Sequence, residues 1–237
     1  SIDMQQTRYD FKSEWYEPFS GIERIAFRYG QVDYQHTEIE GGSPFTTFRN
    51  DVGEGRFEID HKLLTNFSGS FGAQWTNRDF SALGIETFVP ETTQNTLGLF
   101  TTQQLLLGDW TIKAGLRTEK TSLDPKVNQL VLRRSALPPI ALPDQFEYQA
   151  DSAALSLRWD FTDETALTLS LNRSKRSPDL QELLSLGPHL ATQNFEIGNI
   201  ALKNETANVV DLGFEWQSER LSVSLDAYYN WTDSYIY

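Results

Sequence analysis

Residues 176–216 read RSPDLQELLSLGPHLATQNFEIGNIALKNETANVVDLGFEW, and two different patterns follow each other in this stretch. Ser177 and Pro178 are typical of the first turn of a helix, and three leucines follow at helical spacing. The Gly-Pro pair at 187–188 predicts the end of that short helix. Apolar and polar residues then alternate strictly over 210–216, which is typical of a β-strand. The stretch therefore predicts a long, structured loop that leads into a strand.

The same alternation recurs through the chain and predicts about ten strands. It is clearest over 153–161, 167–172 and 221–232, and weaker forms cover 25–29, 53–59, 67–75 and 110–118. One side of these strands carries charged residues such as Arg158 and Asp211, which cannot lie in a dry core without partners. That side is expected to face water. The other side is apolar and is expected to include Leu155, Leu157, Leu212, Phe214, Val223 and Leu225.

The predicted connections between strands alternate between short and long. Short turns are predicted near 16–21, 61–66, 108–109, 162–164 and 217–220, and long connections near 37–45, 81–91, 122–148 and 177–206. This pattern is typical of an all-β, antiparallel, up-and-down transmembrane barrel with short periplasmic turns and long external loops. Trp75 and Trp231 lie about ten residues from a short turn, close to the length of strand that crosses a bilayer. Two aromatic belts are therefore expected.

Composition excludes several classes of protein and leaves one alternative open. The net charge of −13 argues against binding to nucleic acid, and the absence of cysteine excludes a disulfide scaffold and a thiolate metal site. The mean hydropathy of −0.45 suits a soluble chain, but a barrel gives the same average because only alternate residues face lipid. A soluble all-β binding module, such as an adhesin or a lectin, is the alternative. Its strands would usually be about five or six residues long.

The sequence offers few candidates for catalytic or metal-binding residues. Its three histidines are His36, His61 and His189. His61 falls in a predicted short turn, where it is expected to be solvated. His36 and Glu38 close the second predicted strand, and His189 lies in the long loop. Imidazole and carboxylate are ordinary zinc donors, although a lone histidine in a loop is more often solvated. No nucleophile elbow and no cofactor-binding motif are present, so neither an enzyme active site nor a cofactor is predicted.

Three segments carry a resemblance to a known family: SPDLQELLSLGPHLAT at 177–192, FEIGN at 195–199 and LKNETANVVDLGFEW at 202–216. In this order they resemble the mid-barrel signature of TonB-dependent outer-membrane receptors, most closely the zinc-uptake (ZnuD-like) branch. The resemblance implies a barrel of about 22 strands around an N-terminal plug. Residues 1–237 are then expected to be one part of the barrel, in contact with outer-membrane lipid. Contact with TonB is expected through a plug domain outside this chain.

The resemblance also implies a metal site. Receptors of the zinc branch have a His-x-Glu at the corresponding strand end and a His in the long loop, which match Glu38 and His189 here. Zinc would be held by these two residues together with plug residues, and Zn²⁺ would be the transported substrate, not a cofactor. Members of that branch are often rich in histidine outside the site, whereas this chain has three histidines. A receptor for a siderophore, haem or another metal chelate is therefore the alternative.

Overall fold

The structure, a computed structural model, describes residues 1–84, 87–131, 138–189 and 194–237. Its strands are β1 Ile2–Phe19, β2 Ile22–Glu40, β3 Ser43–Leu64, β4 Phe67–Gly84, β5 Thr92–Leu107, β6 Trp110–Pro125, β7 Gln129–Leu130, β8 Ile140–Ala141, β9 Phe146–Thr162, β10 Thr165–Arg176, β11 Leu186–His189, β12 Asn194–Ile197, β13 Glu205–Gln217 and β14 Ser222–Asp233, with one helix, α1 Leu180–Leu184. Ten strands form one antiparallel sheet, in the order β1-β2-β3-β4-β5-β6-β9-β10-β13-β14. The predicted up-and-down all-β sheet is therefore confirmed.

The connections differ at the two ends of the sheet. Every connection at one end, which we call the turn end, is short, and three of the four at the other end, the loop end, are long. The hairpins β7–β8 and β11–β12 and the helix lie in these long connections. The prediction of a long connection over 37–45 is wrong. Strands β2 and β3 continue to a two-residue turn at Gly41 and Gly42, whose φ angles of 56° and 83° suit a tight hairpin turn.

Successive side chains point to opposite sides of the sheet and define two faces. Leu155, Leu171 and Val210 are register neighbours on β9, β10 and β13, and they belong to the apolar face. On the opposite, polar face, Arg158 lies beside Thr168. The six residues predicted to be apolar-facing all lie on the apolar face. Leu212 and Leu225 are 46% and 63% exposed there, as expected for side chains that contact lipid instead of a protein core.

Charges on the polar face are paired across strands. Arg24 on β2 contacts Glu14 on β1 at 2.8 Å, and it contacts Glu58 and Asp60 on β3 at 2.8 Å and 2.6 Å. Arg158 on β9 pairs with Glu215 on β13 at 2.7 Å, and it also pairs with Asp160 on its own strand at 2.8 Å. All of these side chains keep some exposure to solvent. The pairing of these partly exposed charges agrees with the expectation that this face is in contact with water and is not a dry core.

The buried core lies at the loop end, against the polar face. Its strand residues are Phe80, Ala82, Leu123 and Phe146, its connection residues are Phe88, Val89, Leu130 and Leu142, and its helix residues are Leu180, Leu183 and Leu184. The three helix leucines are each 0% exposed, as expected for leucines at helical spacing that share one face of the helix. The long connections therefore fold back over the polar face.

Helix α1 begins and ends at different residues from those predicted. Asp179, not Ser177, is the N-cap: its carboxylate accepts the N–H of Leu180 at 2.6 Å, and Glu182 accepts the N–H of Asp179 at 2.8 Å. This reciprocal arrangement is a capping box. The helix ends before Ser185, and the Gly-Pro pair at 187–188 belongs to β11. Within the described ranges, no helix is long and apolar enough to cross a membrane.

Candidate functional site

Glu38 lies on the polar face near the loop end of β2. It is half-buried, and its register partners are Ile2 on β1 and Thr46 on β3. The pairing shifts immediately after Glu38, which marks an irregularity between Glu38 and Ile39. The strand continues to Glu40, so the prediction that Glu38 ends the strand and opens a loop is wrong by two residues. The carboxylate is therefore carried by a paired strand, not by an external loop.

His36 lies on the same face, two residues before Glu38, and its ring is held by aromatic neighbours. It stacks on Phe48 of β3 with ring centroids 4.7 Å apart and an interplanar angle of 12°. The edge of Tyr34 lies 5.6 Å away. The Nδ1 atom of His36 is buried and makes no hydrogen bond with any residue that the structure describes. These contacts hold the part of β2 that immediately precedes Glu38 in place.

A series of contacts joins this strand to the loop that carries His189. Leu186, the first residue of β11, donates its N–H to the carbonyl oxygen of Phe88 at 2.6 Å. The ring of Phe88 lies 6.4 Å from that of Phe48, which in turn stacks on His36. A Cβ added at Gly187 would lie 3.2 Å from the Cβ of Phe88, so β11 packs closely on this residue. The β11–β12 hairpin is therefore positioned against the β2–β3 side of the sheet.

His189 is the last residue of β11, and its Cα pairs with that of Asn194 on β12. The hairpin lies at the loop end, as Glu38 does. The side chain of His189 lies outside the described part of the structure, and so do residues 190–193. Whether the two predicted ligands meet therefore stays a prediction. Phe88 was not singled out from the sequence, because an aromatic residue in a loop carries no pattern that assigns it a contact.

The loop that holds the hairpin is anchored by charges as well as by its core. Arg176 at the end of β10 donates to both carboxylate oxygens of Glu182, at 2.9 Å and 3.0 Å, and to Glu205 on β13 at 3.2 Å. Burial opposes the ionisation of Glu182. The hydrogen bonds from Arg176 and from the N–H of Asp179 outweigh that effect and lower the pKa of Glu182. The loop therefore has a defined position relative to β10 and β13.

His61 occupies a different environment from the one predicted. It lies within β3, not in a turn, and it is only 4% exposed, so the prediction of a solvated residue is wrong. Its Nε2 atom lies 2.9 Å from Oε1 of Gln103, and the rings of Phe67 and Phe71 lie 5.4 Å and 6.2 Å from its own. It belongs to the apolar face near the turn end, at the opposite end of the sheet from Glu38.

Among the side chains that the structure describes, which do not include that of His189, no group of three or more His, Asp or Glu could hold a metal ion together. The candidate donors at the loop end are thus Glu38 and, from the sequence, His189. Carboxylate oxygen and imidazole nitrogen both bind Zn²⁺ at about 2.0–2.2 Å. Two such donors could supply half of a tetrahedral site.

Comparison with known proteins gives one family and several solved structures. A family model described as "TonB dependent receptor-like, beta-barrel" matches residues 2–237. The solved structure of the copper transporter OprC superposes with a TM-score of 0.74 and 16% identity, covering 97% of this chain and 39% of that chain. The hemophore receptor HasR of Serratia marcescens, solved with its hemophore HasA and heme, gives a TM-score of 0.71 and 14% identity, with 99% and 40% coverage.

A third solved structure, the ferric-catecholate import receptor Fiu of E. coli K12, gives a TM-score of 0.64 and 14% identity, covering 96% of this chain and 40% of that chain. At these identities, the likeness to solved structures concerns the fold. The chain spans about two fifths of the length of each of the three proteins.

Proposed function

The chain belongs to the TonB-dependent receptor-like β-barrel family, and from this premise we propose that it is part of the barrel of a receptor that takes up zinc. The family consists of receptors and transporters of the Gram-negative outer membrane, and not of enzymes. The two faces of the ten-stranded sheet then have defined surroundings: the apolar face contacts lipid, and the polar face lines the inside of the barrel. Residues 1–237 would form this part of the barrel, completed by further strands and a plug.

One observation carries the proposal of a metal site. Glu38 lies on the inward, polar face at the loop end, and the contacts through Phe88 and Phe48 bring the β11–β12 hairpin towards the same strand pair. Long loops of such barrels are external, so substrate arrives at this end. We assign Glu38 and His189 as barrel ligands for Zn²⁺, with the remaining positions filled by the plug. A site shared between barrel and plug would be weak in either part alone.

The barrel itself performs no covalent chemistry in this scheme. Zn²⁺ binds at the loop end, and the plug senses the bound ion. TonB then acts on the plug and opens the route inward. A ligand set of one carboxylate, one imidazole and plug residues allows release, because fewer or weaker donors hold the ion less tightly.

A receptor for a metal chelate is the second candidate. Two of the three similar solved structures favour it, since they are a ferric-catecholate import receptor and a hemophore receptor, while the third is a copper transporter. The chelate would be recognised by its organic groups, and Glu38 and His189 would then have no need to touch the metal. The two functions therefore differ in whether the free ion binds.

Calorimetric titration of the intact receptor in detergent separates the two candidates. We expect one free Zn²⁺ ion to bind to each receptor. The bound ion should stay on the receptor when a ferric siderophore or haem is added. Because Cu²⁺ generally binds nitrogen and oxygen donors more tightly than Zn²⁺ does, Cu²⁺ should compete in the same titration. Binding of a ferric siderophore or haem, with no response to free Zn²⁺, would replace the zinc proposal by the chelate proposal.

A further inference from the structure

A groove crosses the apolar face near the loop end of β10. Its volume is about 420 Å³, and its lining includes Leu116, Ala153, Leu171, Arg173, Asn208 and Trp231. A neighbouring depression of about 520 Å³ shares Leu116, Ala153 and Arg173 with it. Ala153 is the register partner of both Leu116 and Arg173, so a small side chain stands between two large ones. The small side chain leaves space for an apolar chain between its neighbours.

Two polar groups at the loop end of this groove lack partners. Arg173 is exposed and makes no ion pair with the residues in the described ranges. Its register neighbour Asn208 is 6% exposed, and its Nδ2 atom is buried with no hydrogen-bond partner in the same ranges. A buried donor without an acceptor is costly, and such groups in native proteins are nearly always satisfied. The pair therefore points to an acceptor that comes from outside the chain.

Asp151, the acidic residue that lines the neighbouring depression, does not supply that acceptor. Asp151 accepts hydrogen bonds from Thr118 at 2.7 Å and from Gln149 at 3.3 Å, and it makes no ion pair with Arg173. Within the described ranges, Arg173 therefore remains as a positive charge without an ion-pair partner beside the groove. An anionic ligand complements this charge.

We propose that the groove binds an acyl chain of a membrane lipid whose phosphate-bearing head group is bound by Arg173 and Asn208. The apolar face contacts lipid in an outer-membrane barrel, and Trp231, on the other side of Asn208, marks the level of the membrane interface. Arg173 follows three leucines on the same face of β10, at 167, 169 and 171, so it lies just beyond the apolar band. A guanidinium at that level matches a phosphate, while the groove matches a chain.

Native mass spectrometry of the intact receptor in detergent tests this proposal with three ligands. Phosphatidic acid carries both a phosphate and acyl chains, diacylglycerol carries the same chains without the phosphate, and inorganic phosphate carries no chain. We expect phosphatidic acid to bind about tenfold more tightly than diacylglycerol, because a charge-assisted hydrogen bond contributes about this much. Displacement of phosphatidic acid by inorganic phosphate at equal concentration would overturn the proposal, since it would indicate an anion site without a lipid.

Variants separate the head-group contact from the groove. Arg173→Gln and Asn208→Leu should each weaken phosphatidic acid binding, by about tenfold for the arginine, and Ala153→Trp should weaken both lipids by filling the groove. Arg49→Gln is the matched control. Arg49 is exposed on the apolar face near the loop end too, but it lies in a polar depression with Asp33 and Asp51. Equal effects of Arg173→Gln and Arg49→Gln would contradict the proposal, as would an unchanged affinity in Ala153→Trp.

Discussion

Replacing His189 with alanine is expected to lower the affinity of the intact receptor for Zn²⁺ by at least about a hundredfold. Loss of a residue that only supports a metal ligand already costs about 10–100-fold, and loss of a ligand should cost more. Glu38→Gln should lower the affinity as well, because it removes the negative charge while keeping nearly the same shape. Zinc affinity should also fall as the pH drops through the range in which imidazoles take up a proton, since a protonated imidazole cannot bind zinc.

His61→Ala is the control for this measurement. His61 lies near the turn end on the apolar face, and its ring contacts Gln103, Phe67 and Phe71. Its loss should leave the zinc affinity of the folded receptor unchanged. Because His61 is buried, thermal unfolding is followed in parallel so that a loss of folded protein is not read as a loss of affinity. Equal zinc affinities in the His189 and His61 variants would contradict the assignment of His189 as a zinc ligand and of zinc as the substrate.

Replacing Leu225 with arginine is expected to destabilise the folded receptor by about 2–4 kcal/mol if the residue lies near the midplane of the bilayer. Leu225 is the fourth of the twelve residues of β14, it is paired with Phe214 of β13, and it is 63% exposed on the apolar face. A charge there must leave water for hydrocarbon. The quantity to measure is the free energy of unfolding of the intact receptor in lipid vesicles, obtained from a urea titration.

Asp226→Arg is the matched variant, because Asp226 is the next residue on the same strand and lies on the polar face. Its register partner is Gly213, where a Cβ would lie 3.1 Å from the Asp226 carboxylate. An arginine at this position points into the water-filled interior, so the loss of stability should be far smaller. Equal losses at Leu225 and Asp226 would contradict the assignment of the two faces.

The strands were predictable because one physical constraint acts on nearly every residue in them. Lipid on one side and water on the other impose a strict two-residue period, which is why Leu155, Leu212 and Leu225 were assigned to the correct face from the sequence. The error at residues 37–45 has a local cause. Polar residues continue β2 and β3 beyond the apolar band, and only the Gly41–Gly42 pair marks the turn. Polar composition alone therefore predicts a loop there, although the strands continue.

The cap of α1 and the environment of His61 show the limits of short-range patterns. Ser177 and Asp179 are both acceptable N-caps, and the choice depends on Glu182, which completes the capping box from Asp179. His61 precedes a Lys-Leu-Leu-Thr-Asn segment that suggested a turn, yet its ring is buried by Phe67, Phe71 and Gln103. Those contacts come from β4 and β5, so no local signal gives them.

The candidate site could be predicted only as a pair of donors. Residue type and a family resemblance single out Glu38 and His189, but the sequence carries no information on how their elements approach each other. The approach of the β11–β12 hairpin to β2 and β3 depends on Phe88, whose carbonyl oxygen accepts a hydrogen bond from Leu186 and whose ring contacts that of Phe48. Both partners are far from Phe88 in the sequence. Contacts of this kind arise from loops that fold over the sheet, and they have no periodic pattern.

The most direct test of the central claim is zinc accumulation by cells in which the intact receptor is the only outer-membrane route for the metal. We predict that cells with the unchanged receptor accumulate radioactive Zn²⁺ supplied as the free ion, and that accumulation stops when TonB is removed or when His189 is replaced by alanine. Accumulation that is unaffected by both changes, or that occurs only when the metal is supplied as a chelate, would contradict the proposal that this barrel takes up zinc.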